Sequence, residues 1–386
     1  MKVYHSYHFP KHVFCCLKIC YNTVAKWSYC LDIFMCLSVH HHGSFSDCHD
    51  LLFISLYSDN RRFVNTVIIY NDKVVVDEPS IVAIQRDTQK IMAVGKRAMM
   101  MHGKTHENIK TIRPLRDGVI ADFQAAEYML REMIRMINFH NSIFPPALKM
   151  VICIPSGITE VEERAVKDSA EQAGAKEVRL IHEPMAAAIG IGIDVLEPMG
   201  NMIVDIGGGT SEIAVIALGG IVNNKSIRTA GDDFTDEIVE YMRKQHNMHV
   251  GERTAEMIKI EVGSALTELD NPPEEYAVHG RDMLTGIPKE IKVNYSEIAY
   301  CLDKSISKIE TAVLNALEQT PPELSADIYR TGIYLTGGGA LLRGLDKRLH
   351  AKTKLPIHVA EDPLRAVARG TGIALKNFDK FPFLIK

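Results

Sequence analysis

Ile203-Val204-Asp205-Ile206-Gly207-Gly208-Gly209-Thr210 is the stretch on which the fold turns. An apolar strand pattern ends at Asp205, and three glycines follow it. Without Cβ atoms, Gly207, Gly208 and Gly209 let backbone N–H groups close on phosphate oxygens. The next segment, Glu212 to Leu218, again reads as a strand and not as a helix. That context sets aside the Walker loop and the dinucleotide fingerprint, both of which open a helix. A plain glycine-rich hairpin turn is the other reading of the same residues.

Working outward, Leu335-Thr336-Gly337-Gly338-Gly339-Ala340 is a second glycine element, predicted to follow a strand and open a helix whose positive end suits a nucleotide. A tight strand-to-helix connection is the competing reading. Upstream, Leu148 to Ile154 is, but for Lys149, a continuous apolar run of the kind buried on both faces of a sheet. Thr159 and Glu162 form a capping box for the helix after it. Val178 to Ile181 is a strand that leads into Glu183-Pro184, where proline opens the small-residue helix Met185 to Ile189. Glu183 stands at the junction of the halves, placed to orient or deprotonate a water; a helix-terminal glutamate satisfied by the helix dipole is the plain alternative. Strands and helices alternate, so the class is α/β. Each half begins with a hairpin (Thr66 to Tyr70 with Lys73 to Val76; Glu212 to Leu218 with Ile221 to Arg228), which predicts two duplicated lobes around a cleft. Further helices are expected at Glu252 to Leu269, Tyr295 to Leu317 and Leu341 to His350.

The chain has 386 residues, 46% hydrophobic and 24% charged, with a formal net charge of −4. Such composition suits two globular domains and offers no electrostatic footprint for nucleic acid. The apolar stretches near the start are broken by Lys18, Lys26 and Asp32, which argues against a transmembrane helix, while Pro10, Lys11 and Lys18 cut the run a secretory signal needs; a cytoplasmic protein is expected. Cys15, Cys16, Cys20, Cys30, Cys36 and Cys48 crowd the beginning, while only Cys153 and Cys301 lie beyond. Cys153 reads as a small core residue.

Three segments together resemble the actin, Hsp70 and sugar-kinase superfamily: Glu183 to Gly190, Asp205 to Thr210, and Thr336 to Gly344. Within it the nearest resemblance is to the bacterial actin homologue MreB, to which Arg116 to Phe123 and Gly251 to Glu256 are also similar, so that the likeness runs from about Asn65 to the end. The resemblance implies an actin-like ATPase fold, with domain I over 61–200 and 351–386 and domain II over 201–350. It implies ATP and Mg²⁺ as cofactors. Catalysis would fall to Glu183, Asp205 and Thr210, with Asp205 holding magnesium through water. Asn65, Gly207, Gly208, Gly209, Thr210, Glu256, Lys259, Gly337, Gly338, Gly339 and Ala340 would bind ATP; without the family, Glu256 and Lys259 read as an exposed ion pair. It further implies self-assembly into filaments, weak ATP hydrolysis coupled to polymerisation, a place at the inner face of the cytoplasmic membrane, and membrane cell-elongation proteins as partners. The role implied is the direction of cell-wall synthesis and the maintenance of rod shape. Ile143 and Phe144, set between polar residues and prolines, fit a membrane-contacting loop, and equally fit packing against the body.

The chain departs from the family at the first phosphate hairpin. Only Asn65-Thr66 remains of it, preceded by Asn60-Arg61-Arg62-Phe63-Val64, where the family has an aspartate and glycine. A homologue that has lost nucleotide binding is therefore the alternative, as is another ATPase or kinase of the superfamily. The first 60 residues match nothing expected, which suggests a misread gene start or a disordered segment. The cysteines there, with His40, His41, His42 and His49, contain no C-x-x-C pair and make a poor zinc site.

Overall fold

Two five-stranded sheets of identical plan carry this protein, in a computed structural model that describes residues 51–58, 64–70, 73–88, 90–104, 107–116, 119–120, 122–137, 148–379 and 381–385. The first sheet runs Ala175–His182, Leu148–Ile154, Leu51–Ser58, Val64–Tyr70, Lys73–Pro79. The second runs Ile357–Val359, Ile333–Thr336, Asn201–Ile206, Ser211–Ala217, Gly220–Ile227. In each, an antiparallel meander of three strands is joined at its first strand to two parallel ones.

Helices cover both faces of the second sheet, which is why Asn201–Ile206 and Ser211–Ala217 are buried at every residue. Val204, Ile206, Ile213 and Val215 pack on one side with Phe234, Ile238, Leu302 and Ile306. Ile203, Ala214 and Ile216 point the other way, into a core that also takes Val151, Cys153 and Ile181 of the first sheet. Between the sheets lie two small-residue helices, Glu183–Gly190 and Ala366–Lys376. They cross so closely that a Cβ on Gly190 would stand 1.8 Å from the Ala366 carbonyl oxygen, and one on Gly370 would stand 1.7 Å from that of Ala186. No other residue fits either position.

Local signals survive into the structure. Thr159 and Glu162 make the reciprocal capping box of the helix Glu160–Gln172. Three expectations change. The segment 51–58, placed outside the domain by the boundary at residue 60, is the central strand of the first sheet, and residues from Cys48 onward form one compact unit. The strand Ile357–Val359, assigned with 351–386 to domain I, pairs with Ile333–Thr336 in the second sheet; the helix Ala366–Lys376 does pack on first-sheet strands. The helix expected over Glu252 to Leu269 stops at Val262, because Gly263 takes an extended conformation.

The chain's tail returns to the first sheet. Leu180 and Ile385 exchange backbone hydrogen bonds of 2.9 Å in each direction, and the Arg179 guanidinium lies 4.0 Å over the Phe378 ring while donating to the Phe378 carbonyl.

Candidate nucleotide site

The strand pairing that builds the second sheet also builds the site. Asp205 lies directly opposite Glu212 across the antiparallel ladder and beside Thr336 on the parallel one. Its Oδ1 accepts a 3.0 Å hydrogen bond from the Thr336 hydroxyl. Burial, opposed by that hydroxyl and reinforced by the Glu212 carboxylate, moves the Asp205 carboxyl up to about 6. Glu183, the first residue of its helix, is raised well above the usual carboxylate range by burial and then by Glu212 and Asp205. The structure thus gathers Glu183 and Asp205 as expected, and adds Glu212 to them.

Glu212 was not anticipated. Its side chain is fully buried, with Oε2 accepting from the Ser156 N–H at 3.2 Å and from the Ser156 hydroxyl, and Oε1 accepting from the Ser226 hydroxyl at 2.6 Å. The available signal was its pattern: a glutamate in the otherwise apolar run of Ile213-Ala214-Val215-Ile216, one residue past the Thr210-Ser211 turn.

The glycine turn closes on itself through Gly207 N–H to Thr210 O at 2.9 Å. Its carbonyls are engaged by the start of the helix Gly231–His246: Gly231 N–H reaches Gly207 O at 3.1 Å and Asp232 N–H reaches Gly208 O at 2.7 Å. Thr210 is buried at the turn's end. The second glycine element sits against the first. Gly337 has φ 78°, and a Cβ there would fall 2.3 Å from Ile206 O and 2.6 Å from Asp205 Oδ1, so the two turns meet only because this residue is glycine. Gly338–Leu341 forms a 3₁₀ turn, and the regular helix begins later, at Leu345. The expectation of a helix opening directly after Gly337 is corrected accordingly: Gly344, in the left-handed region, delays it.

Glu256 and Lys259 are not the exposed ion pair that their spacing alone suggests. Glu256 is 6% exposed, its Oε2 lies 2.8 Å from Lys259 Nζ and accepts from the Thr235 hydroxyl at 2.7 Å. Lys259 Nζ also donates to Gly231 O at 2.8 Å. A cavity of about 200 Å³ opens here, bounded by Gly207, Glu256, Lys259, Gly338, Gly339 and Arg343 among others. Five of the residues expected to bind ATP therefore line one space, with Ala340 buried beside it. Asn65 lies opposite Tyr57 on the first hairpin, and its side chain falls outside the described residues. Ile143 and Phe144 fall outside them altogether.

The two hairpins can be superposed by register. Ile206↔Ser211 closes the second and Ser58↔Val64 the first, so Tyr57 holds the station that Asp205 holds in its own sheet. Among the described residues, no group of three or more His, Cys, Asp or Glu has the arrangement of a metal cage, and no helix is long and apolar enough to cross a membrane.

Comparison with known proteins agrees with this fold. The MreB/Mbl protein family model matches residues 63–382. The chain is 48% identical over 309 residues to the cell shape-determining protein Mbl of Bacillus subtilis (strain 168), covering 80% of this chain and 92% of Mbl. It is 48% identical over 320 residues to the cell shape-determining protein MreB of Escherichia coli (strain K12), covering 82% and 91%. The crystal structure of MreB5 of Spiroplasma citri bound to AMPPNP superposes with a TM-score of 0.79 at 38% identity, over 87% of this chain and 98% of that one. The MamK double helical filament, with TM-score 0.68 and 20% identity over 86% of this chain and 100% of that one, shares the fold. The fold is actin-like, with two duplicated lobes about a cleft.

Proposed function

We infer the function from the family: the chain belongs to the MreB/Mbl protein family, and we propose that it is an ATP-dependent, filament-forming protein of the bacterial cytoskeleton that directs cell-wall synthesis and maintains rod cell shape. Relatives named as cell shape-determining proteins support the cellular role. Solved MreB5 structures with AMPPNP and ADP support the nucleotide, and the MamK filament supports self-assembly.

The observation that carries the reading is the convergence of two glycine turns and the buried Glu256–Lys259 pair on one cavity. These residues fit a nucleotide. Gly207, Gly338 and Gly339 border the cavity without side chains, so backbone can approach a ligand closely there, and Glu256 offers a carboxylate acceptor of the kind that ribose hydroxyls need. Gly207, Gly208, Gly209 and Thr210 cradle the phosphates, with Gly337, Gly338, Gly339 and Ala340 on the base and ribose side. A hydrated Mg²⁺ would neutralise charge on the phosphates, and Asp205 would hold it through water. Glu183 and Thr210 orient the attacking water, Glu183 accepting its proton as base. Turnover is slow and coupled to polymerisation: ATP favours the polymer and hydrolysis loosens it. The protein acts in the cytoplasm, peripherally at the inner membrane face, with membrane cell-elongation proteins, and Ile143 with Phe144 supplies an apolar contact multiplied along the filament.

Sedimentation with anionic lipid vesicles tests this. Pelleting with Mg-ATP that falls with ADP is the expected result. A monomer in every nucleotide state would overturn the filament reading, and no ATP binding by calorimetry would remove the nucleotide from it.

A further inference from the structure

The lobes touch at a joint whose residues, Ser156, Gly157, Glu212 and Ser226, do not line the cavity. After the first-sheet strand Leu148–Ile154 the chain turns through Pro155-Ser156-Gly157 before the Thr159 cap. This turn presses on the second sheet. The Ser156 N–H and hydroxyl both donate to Glu212 Oε2, on the strand Ser211–Ala217. Glu212 Oε1 is held from its own sheet by the Ser226 hydroxyl at 2.6 Å. Independently, a Cβ on Gly157 would stand 2.9 Å from Ser226 Cβ, so the backbone of one lobe rests against a side chain of the other. A carboxylate with no exposed surface and three donors, two from the opposite lobe, is costly to desolvate and is weak evidence for stability as such.

We propose that Glu212 is a positioning residue: its carboxylate pins the Ser156 turn of the first lobe to the second sheet and so holds Glu183 in register with Asp205 and the Gly207–Thr210 turn. The geometry supports this because Glu212 and Asp205 are directly paired across the ladder. A shift of the Ser156 turn is thereby a shift of the first lobe relative to Asp205. A misplacement of about 1 Å at a reacting centre lowers a rate by about a hundredfold. Glu212 touches neither phosphate nor water in this account. The proposal rests on the reading of Glu183 as the base.

Three variants of the full chain test it, with kcat and KM for Mg-ATP measured alongside hydrogen exchange of the segment containing the Ser156 amide. Glu212→Ala is expected to lower kcat at least tenfold, leave KM within about threefold, and speed exchange at Ser156. Glu212→Gln keeps the length and an acceptor for Ser156, and its amide can donate to the Ser226 hydroxyl, so it should recover most of the rate. Ser156→Ala removes one donor with little disturbance and should give a smaller fall in kcat together with faster exchange. If Glu212→Ala fails to fold, Ser156→Ala decides. Unchanged kcat with accelerated exchange overturns the positioning role, as does a Glu212→Gln variant as slow as Glu212→Ala. Failure of the underlying reading shows separately: Glu183→Gln would then hydrolyse ATP at the wild-type rate, whatever the exchange at Ser156.

Discussion

Asp205 has given up water on nearly every side, and the Thr336 hydroxyl donates to its Oδ1. Because its carboxyl rises from 3.8 to about 6, the folded chain holds a proton that the unfolded chain has released between those values. The stability tied to that proton is full below about pH 4 and is lost as pH rises through about 6, a difference of up to about 3 kcal/mol at neutral pH. Asp205→Asn, which keeps an acceptor for Thr336, should therefore raise the free energy of unfolding by about 1–3 kcal/mol at pH 7.5 and hardly change it near pH 4. Urea titrations at the two values check the sign; an equal gain at both would refute it. The same variant should lose magnesium-dependent hydrolysis. For Glu183→Gln the expectation is a fall of about a hundredfold or more in single-turnover hydrolysis with ATP affinity nearly unchanged. Glu183 and Asp205 were legible in the sequence because each ends or begins an element beside a turn or a proline. Glu212 was not: its importance depends on what faces it, Asp205 from one strand and Ser156 from another lobe, and neither neighbour is close in the chain.

At the scale of elements, the crossing of Glu183–Gly190 with Ala366–Lys376 sets the angle at which Glu183 is presented. Gly370→Ala would place a methyl 1.7 Å from the Ala186 carbonyl oxygen, so the helices must part. The expected cost is about 1–3 kcal/mol, as for other overpacked sites, and chemical denaturation should detect it. Thr159→Ala, which removes only a cap, should cost about 1 kcal/mol. Elements written in local chemistry were the readable ones: the run Leu148–Ile154 matched residue for residue, and the cap at Thr159 and Glu162 formed as its spacing required. The strand Leu51–Ser58 escaped because nothing within it announces a phosphate turn. It is recognisable only from its partners, Val64–Tyr70 on one side and Leu148–Ile154 on the other. The helix ending at Val262 was overextended because the residues past Gly263 keep an apolar pattern while Ala265 and Arg343 join backbones instead.

Taken whole, the molecule repeats one sheet plan twice but not one chemistry. The second hairpin carries Asp205 and glycines; the first carries Tyr57 at the matching station and no glycine among residues 59–63. Nucleotide binding is therefore expected to lean on the second lobe. Mg-ATP at a hundredfold its dissociation constant should add about 2.7 kcal/mol to folding stability. Lys259→Ala, which strips the Glu256 carboxylate of its cation, should abolish most of that gain in a thermal-shift measurement while leaving the unliganded chain folded. The tail adds a different consequence. Ala175–His182 is the outer strand of the first sheet, and the pairing of Leu180 with Ile385 covers part of its open edge. An uncovered edge offers unpaired amides and carbonyls to any other chain. Removing 381–386, or pulling those residues away with a bulky fusion, should thus turn a protected margin into a template for disordered, nucleotide-independent clumping, visible as light scattering with ADP as readily as with ATP.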